Sequence, residues 1–437
     1  MMIRWISLLL ILTLLTGCSH AEDGPLAEPS YPDMPPYPST GEDYAFLNPD
    51  AYSAWRQAVR AQARENGYEE GLAPFLAASG QVFLGDAAGE NRVYSPLSLY
   101  MALAMLAETT GGETRSQVLT LLGHENVDTL RSQAADLWNA NYRSDATMTR
   151  TLATSLWLNE DIRYQQETVD ALAKHYYAAS YRGRMGSPEY DRQLHQWLNS
   201  NTLGLLEEQI GQLHLPEDTA AAIASTVAFR ARWGGEFDKS ETTQDTFHAA
   251  DADVTCDFMH ASYRSTFYWG ERFQAIRLGF EQDGCMWIIL PDEGVSPEAL
   301  LSDTDCLPVL TGTGTPESRS MIVHMSIPKF DVTSQMEMSA GLQCLGVTNA
   351  FSRDRADFAP QTGSELPVWL DRVQHDARVV IDEEGCEAAA YTLMLMAAGA
   401  APPEQLDEID FVADRPFLFV ITGANELPLF IGVVNHP

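Results

Sequence analysis

Residues 410–435 read DFVADRPFLFVITGANELPLFIGVVN, and this stretch decides the fold. It contains two runs of large apolar residues, 417–422 and 429–434, whose composition and length predict β-strands. Upstream of it, further strand-like runs lie at 152–158, 225–231, 275–278, 286–290, 321–327 and 379–381. Most of the predicted strands therefore follow residue 220.

Helical patterns occupy most of the chain before residue 200. Trp55 and Val59 lie four residues apart in a helical pattern over 51–64. Ser95 and Pro96 supply an N-cap and a first-turn proline for a helix over 97–108. Other predicted helices cover 72–84, 116–122, 165–177 and 190–198. Helices mostly first and strands mostly later indicate an α+β fold with antiparallel or mixed sheets, not a doubly wound βαβ fold.

Five blocks of sequence, taken in order, resemble the serpin family. The stretch at 410–435 is similar to the serpin C-terminal signature. The other blocks are YSPLS (94–98) through GETR (112–115), AFRARW (228–233) through FD (237–238), IILPDE (288–293), and IPKF (327–330) with LGV (345–347). The resemblance covers about residues 70–437. It implies about eight or nine helices packed on three β-sheets, in a domain of residues 51–437 with an exposed reactive-centre loop at about 383–410.

The segment DEEGCEAAA at 382–390 resembles the hinge of that loop, with the hinge positions Glu383, Glu384, Gly385, Cys386, Glu387, Ala388, Ala389 and Ala390. In inhibitory serpins a protease cleaves the loop and forms an acyl-enzyme, and the cut loop inserts as a new strand of the large sheet. The resemblance therefore implies a suicide inhibitor of serine-type proteases, neither an enzyme nor dependent on a cofactor. Without the flanking blocks, an alanine-rich exposed loop or helix would be the simpler interpretation.

The residue types of this segment suit insertion between two strands. A packed interior has little spare volume, so small residues such as Gly385 are needed near the leading end. Side chains of an inserted strand alternate between its two faces. One face would carry Glu387 and Tyr391, where a charge reaches water. The inner face would carry only small or mostly apolar residues, namely Cys386, Ala388, Ala390, Thr392, Met394 and Met396.

Two further groups of residues carry over from the resemblance. Ser95, Ser98, Ser225 and His375 resemble the shutter cluster, whose polar side chains bridge the strands that must part. Family members usually have Asn in place of Ser225, so this departure is expected to weaken or rearrange the bridge. Trp233, Lys329 and Glu383 resemble the breach, where the loop enters the sheet. The simpler interpretation of these two groups is a buried histidine, a core tryptophan and surface charges.

The bond that a target protease would cut is predicted by counting from the hinge. In the family it lies roughly fourteen residues past the hinge glycine, which places it between Gly399 and Ala400. Counting back from Pro416 gives a position several residues later, because this loop is longer than usual. The surrounding residues are small and lack Arg or Lys. They favour elastase-like or subtilisin-like targets over trypsin-like ones.

The N-terminus has the pattern of a bacterial lipoprotein signal peptide at residues 1–18. Arg4 precedes an apolar run too short to serve as a stable membrane span, and the run ends in LTGC at 15–18. These residues resemble a lipobox, in which Cys18 is lipidated. An ordinary secretory signal with an incidental cysteine is the alternative. Residues 19–50 contain many Pro, Gly, Ser and acidic residues, which predicts a flexible tether to the cell envelope, on its periplasmic or extracellular face.

Composition limits the range of partners. The formal net charge of −34 disfavours binding to nucleic acid and to anionic lipid surfaces, so only the lipid would hold the chain at a membrane. The five cysteines after Cys18 lack C-x-x-C spacing, and no histidine pattern suggests a metal site. No Gly-x-Ser-x-Gly, His-Glu-x-x-His or P-loop motif is present. The expected partner is a target serine protease, bound by a monomer. The main rival interpretation is a non-inhibitory serpin that acts as a cell-surface binding or structural protein.

Overall fold

The computed structural model describes residues 25–31, 49–62, 67–144, 148–235, 237–363, 367–386 and 407–437. The described residues form eleven α-helices: α1 (Pro49–Gln62), α2 (Ala73–Leu84), α3 (Pro96–Thr109), α4 (Gly112–Leu121), α5 (Val127–Asn141), α6 (Gln166–His175), α7 (Pro188–Asn201), α8 (Glu207–Ile210), α9 (Leu307–Leu310), α10 (Ser339–Cys344) and α11 (Ala359–Thr362). Three of them, α8, α9 and α11, are single turns of four residues, too short to show a period. Neither the 15-residue α5 nor the six-residue α10 was predicted from the sequence.

The strands are β1 (Arg92–Tyr94), β2 (Arg143–Ser144), β3 (Met148–Asn159), β4 (Ala178–Gly183), β5 (Ala221–Arg232), β6 (Thr243–His248), β7 (Asp253–Trp269), β8 (Phe273–Gly279), β9 (Cys285–Pro291), β10 (Glu317–Pro328), β11 (Phe330–Glu337), β12 (Gln374–Ile381), β13 (Gly385–Cys386), β14 (Glu408–Val412), β15 (Phe417–Thr422) and β16 (Pro428–Val434). The α+β class predicted from the order of helices and strands is confirmed. Every strand predicted from the sequence falls within one of these.

Hydrogen bonds join the described strands into two sheets. The large sheet has the order β11-β12-β13-β5-β3-β2, with β4 also paired to β3. The second sheet has the order β1-β16-β15-β9-β8-β7-β10-β14, and β6 also pairs with β7. Strand β7 is 17 residues long and pairs with β6, β8 and β10. It therefore joins these strands into one network, and the described strands form two sheets where the resemblance implied three.

Helix α3 fills the space between the two sheets. Nearly all of its residues are buried, and it packs against β5 on one side and β16 on the other. The Ser95 hydroxyl caps this helix by accepting a hydrogen bond from the Ser98 backbone N–H at 3.2 Å, and Pro96 follows in the first turn. Both features were predicted from the sequence. The cap holds two serines of the predicted shutter directly beneath the large sheet.

Candidate functional site at the hinge of the large sheet

The hinge begins as a tight turn between β12 and β13. The carboxylate of Asp382 accepts hydrogen bonds from the backbone N–H groups of Glu384 at 2.9 Å and Gly385 at 3.2 Å. The backbone N–H of Asp382 in turn donates to the carbonyl of Gly385 at 3.1 Å. An aspartate that bonds to the backbone two residues ahead is a common way to stabilise a turn. This turn reverses the chain at the end of the large sheet.

Strand β13 then passes between β12 and β5. Cys386 pairs with Ile381 of β12 on one side and with Ala231 of β5 on the other, antiparallel to both. Within the described residues, no ladder joins β12 directly to β5. The two strands thus meet the start of the loop rather than each other. At the hinge end of the large sheet, β13 occupies the position between β12 and β5.

Gly385 is required by the close approach of β5. Its φ of +153° is one that other residues rarely adopt. A Cβ atom at this position would lie 2.2 Å from the carbonyl oxygen of Ala231 and 2.8 Å from the Cα of Arg232. Both contacts are with backbone, which cannot move aside without disturbing β5. The expectation that the leading end of the hinge must be small is met at this position.

The three residues predicted for the breach lie together around the turn. The indole Nε1 of Trp233 donates to the carbonyl of Asp382 at 2.9 Å, and its ring stacks on Phe280 at 5.2 Å between centroids. The ammonium of Lys329 donates to the two carboxylate oxygens of Glu383 at 3.0 and 3.2 Å. The Glu383 side chain is only 6 % exposed. The pair is therefore not the exposed surface pair that the sequence suggested.

Glu383 stays ionised in this environment. Burial alone would raise the pKa of its carboxyl. Hydrogen bonds from the Glu383 backbone, from Thr242 at 2.8 Å and from Lys329, together with the lysine charge, outweigh burial and hold the pKa below its ordinary value. The carboxylate thus links the turn before β13 to the residue before β6 and to the residue after β10.

The four residues predicted for the shutter form two separate contacts. The hydroxyl of Ser98 donates to the Ser225 carbonyl at 2.9 Å, and the Ser225 hydroxyl is 3.3 Å away. The backbone N–H of Ser95 donates to Nε2 of His375 at 3.0 Å. The first contact holds β5 and the second holds β12. No hydrogen bond between Ser225 and His375 is found in the described residues, so the two contacts are separate.

His375 is held as the neutral imidazole. Burial lowers its pKa to about 4. Because Nε2 accepts the hydrogen bond from Ser95, the ring proton must reside on Nδ1. The ring also meets the edge of Tyr94 with 6.4 Å between centroids.

Sequence reasoning missed three residues of this site. Asp382 shapes the turn, Thr242 bonds to Glu383, and the ammonium of Lys239 contacts the Glu384 carboxylate. Asp382 could have been found from its position just before a glycine turn. Nothing in the sequence connects Thr242 or Lys239 to a segment some 140 residues later.

Several predicted site residues lie outside the described residues. They are Cys18, Gly399, Ala400, Glu387, Ala388, Ala389 and Ala390. In the described ranges, no group of three or more His, Cys, Asp or Glu side chains could hold a metal ion. The same ranges contain no helix long and apolar enough to cross a membrane. Cys256, Cys285, Cys306, Cys344 and Cys386 are free thiols.

Comparison with known proteins identifies the family. A family model described as "Serpin (serine protease inhibitor)" matches residues 81–437. The chain is a serpin. Among its relatives, Serpin-Z1A of Triticum aestivum is 27 % identical over 364 residues, which cover 80 % of this chain and 91 % of that serpin.

Solved serpin structures share the fold. The thermophilic serpin tengpin in its native state superposes with a TM-score of 0.75 at 23 % identity, covering 86 % of this chain and 95 % of tengpin. Human thyroxine-binding globulin, solved in complex with thyroxine, gives a TM-score of 0.72 at 17 % identity, covering 85 % of this chain and all of that one. These likenesses establish the serpin fold. The family as a whole points to protease inhibition.

Proposed function

We propose that this serpin is a suicide inhibitor of elastase-like or subtilisin-like serine proteases. The observation that carries the proposal is the position of β13, which lies between β12 and β5 and pairs with both. A cleaved loop that continues from β13 would extend an antiparallel strand that the hinge has already begun. The sheet offers it two flanking strands with no ladder between them in the described residues.

The proposed chemistry uses the protease's own catalytic serine. Its Oγ attacks the carbonyl carbon of Gly399, the bond to the Ala400 nitrogen breaks, and the serine proton ends on the new amine of Ala400. The product is an ester between the protease and Gly399. Insertion of residues 387–399 then carries the protease along the sheet before water hydrolyses the ester.

The burial of Cys386 supports the expected alternation of the inserted strand. Its side chain is only 3 % exposed and belongs to the main hydrophobic core. Because strand side chains alternate, Ala388 and Ala390 would follow it inward, and Glu387 would point outward. The inner face of the new strand would therefore carry no charge.

The energy of insertion is large enough for irreversible trapping. The new strand would gain roughly a dozen backbone hydrogen bonds, each worth about 1 kcal/mol net. A total on the order of 10 kcal/mol exceeds the roughly 4 kcal/mol that a thousandfold preference requires.

The same proposal places the protein at the bacterial cell envelope, held by a lipid on Cys18. The lipobox pattern supports it, and the acidic chain would not bind an anionic bilayer by charge. Cys18→Ser is expected to move the protein from the membrane fraction to the soluble fraction and to abolish incorporation of radiolabelled palmitate. Equal labelling of both forms would contradict the anchor.

The inhibition is tested by mixing the protein lacking residues 1–18 with pancreatic elastase, neutrophil elastase and subtilisin. We expect a complex that survives denaturing electrophoresis, and a released C-terminal peptide that begins near Ala400 by intact mass. Cleavage without a complex across a wide panel of proteases would favour the non-inhibitory alternative, a cell-surface binding or structural serpin.

A matched pair of variants separates insertion from simple binding. Ala388→Arg places a charge on the inner face of the new strand, and Glu387→Arg places the same charge on the outer face. We expect A388R to be cleaved as a substrate without a stable complex, whereas E387R should still trap the protease. Equal trapping by both variants would contradict insertion.

A further inference from the structure

A short N-terminal segment, residues 25–31, lies along the free edge of β4. The backbone N–H of Leu26 donates to the carbonyl of Ser180 at 2.6 Å, and the N–H of Ser180 donates to the carbonyl of Ala27 at 2.9 Å. This reciprocal pair of bonds forms an antiparallel bridge. The segment therefore extends the large sheet beyond β4, although it falls inside the stretch whose composition predicts a flexible tether.

The segment ends in an aromatic stack. The ring of Tyr31 lies nearly parallel to those of Trp138, Tyr142 and Tyr177, with centroid distances of 5.4, 5.7 and 6.5 Å. The receiving rings are themselves held in place. The indole of Trp138 donates to the Leu152 carbonyl at 2.9 Å, and the hydroxyl of Tyr177 accepts from Asn139 at 2.7 Å. Two independent contacts, one of backbone and one of side chains, thus hold the segment.

The register of the sheet gives the distance of the segment from the hinge. Ser180 of β4 pairs with Leu156 of β3, which pairs with Ile223 of β5. Cys386 at the hinge pairs with Ala231. The level of Ser180 is therefore eight residues along β5 from the hinge, about 26 Å at roughly 3.3 Å per residue.

The directions of the strands show which way the segment runs. Strand β5 runs toward the hinge, so β3, antiparallel to it, and β4, parallel to β3, run away from the hinge. The bridge at Ala27 is antiparallel to β4, so residues 25–31 run toward the hinge end. The chain that precedes Pro25 accordingly joins the domain from the opposite side.

We propose that residues 25–31 are a docking strand that fixes the exit of the N-terminal tether at the end of the large sheet opposite the hinge. Only six residues separate Cys18 from Pro25, and the seven Cα–Cα steps between them reach at most about 25 Å. If the segment were free, the 31 residues from Cys18 to Pro49 could reach about 110 Å. The docking strand thus shortens the tether about fourfold.

The orientation of the reactive loop relative to the membrane rests on the proposed lipid anchor. The docking of residues 25–31 and the exit point of the tether do not. An anchored domain is held with the far end of the large sheet toward the bilayer. The hinge and the start of the reactive loop then face away from the membrane. Access for a large protease requires that orientation.

The test compares two double variants at the same two positions. L26P/Y31A removes the Leu26 N–H and the Tyr31 ring. L26A/Y31F keeps the N–H and the ring. In the full chain in detergent, we expect hydrogen exchange at the Ser180 amide to accelerate on the order of tenfold in L26P/Y31A only. Equal exchange in the two variants would overturn the docking strand.

The exit point is measured by spin labels in a Cys256→Ser/Cys344→Ser background, which removes the two free thiols that are not buried in the described residues. One label is placed at Asp23→Cys on the tether. The other is placed at Glu241→Cys, between Lys239 and Thr242, which both contact the hinge. The proposal predicts a single long distance between the labels in the parent and in L26A/Y31F. It predicts a broad distribution that reaches shorter distances in L26P/Y31A. The same distribution in all three overturns it.

Two measurements on the same samples keep this proposal separate from the proposed function. Covalent complex formation with elastase reports inhibition, and it should be equal in both double variants. Flotation with lipid vesicles reports the anchor. If covalent complex formation or vesicle flotation gives a negative result, the exchange and distance measurements still test the docking strand.

Discussion

At the scale of single residues, the hinge contains two adjacent glutamates with lysine partners in different environments. Lys329 is about one-third exposed and pairs with the buried Glu383, whereas Lys239 is 62 % exposed and pairs with Glu384, which is 37 % exposed. Exposed ion pairs contribute little, because water solvates both charges well. Removing the partner of a buried carboxylate costs more, since that carboxylate loses a charge-assisted hydrogen bond.

Lys329→Ala should therefore lower the free energy of unfolding by about 1–3 kcal/mol. Lys239→Ala is the matched control and should change it far less, because water solvates both charges of that pair. Urea unfolding at pH 7 measures both. The folded pKa of Glu383 lies below its ordinary value, so its contribution is present at neutral pH and is lost as the pH falls through that depressed pKa. Equal effects of the two substitutions at pH 7 would contradict this account.

His375 should make the stability of the native protein sensitive to mild acid. Its folded pKa of about 4 lies below the ordinary value of 6.5, so the unfolded chain binds the extra proton between these values. The stabilising contribution is complete above pH 6.5 and declines as the pH falls toward 4. The loss amounts to up to roughly 3 kcal/mol.

The measurement is thermal or urea unfolding as a function of pH, with His375→Gln as the comparison. The glutamine cannot take up the proton, so the decline between pH 6.5 and pH 4 should be shallower in H375Q. Curves of the same slope in that interval would show that His375 is not the group responsible.

At the scale of elements, one buried carboxylate joins three helices. Glu108 of α3, which is 4 % exposed, accepts two hydrogen bonds from Arg131 of α5 at 2.8 and 2.6 Å and one from the hydroxyl of Tyr176 at the end of α6 at 3.0 Å. Hydrogen bonding to Glu108 raises the pKa of Arg131. These helices underlie the same half of the large sheet that the segment 25–31 reaches.

Arg131→Ala should cost about 2–4 kcal/mol of stability, because the buried Glu108 loses its positive partner. Arg192→Ala on α7 is the control. It removes an arginine from an exposed pair with Glu189 and should cost less than about 0.5 kcal/mol. Denaturant unfolding of both variants distinguishes the two cases. A loss below 1 kcal/mol for R131A would mean that the helices are held mainly by apolar packing.

At the scale of the whole molecule, the described residues of the large sheet join β12 to β5 only through β13. Most sheets have every interior strand paired along its length, because an unpaired backbone group away from water is costly. Here the described part of the interior strand β13 has only two residues. Under the proposed insertion, the molecule gains stability when further residues of the loop continue that strand.

Cleavage of the loop should raise the thermal unfolding temperature by about 10 °C or more. A gain on the order of 10 kcal/mol, divided by the unfolding entropy of roughly 390 residues, gives this shift. Differential scanning calorimetry of the intact and the elastase-cleaved protein measures it. Cleaved A388R, which is expected not to insert, is the control. An unchanged unfolding temperature after cleavage would contradict insertion.

Much of the architecture was predictable, because periodicity and composition are local properties. The helix over Pro96–Thr109, the apolar strands β15 and β16 and the α+β class all followed from residues close together in the chain. The three single-turn helices and the two-residue strand β13 were not predictable, since a few residues carry no period. The long helix α5 and the long strand β7 were also not predicted from the sequence. The grouping of shutter and breach residues came from family resemblance rather than from periodicity.

By itself, the sequence determined the apolar buried strands, most of the longer helices and the small, uncharged inner face of the hinge. Side-chain size and alternation are properties of each residue and its near neighbours. Only the tertiary structure decided that Glu383 is buried, that Thr242 and Lys239 reach the hinge, and that residues 25–31 lie on β4. Each of these depends on segments brought together from more than a hundred residues apart, and burial and partner choice exist only once the chain has folded.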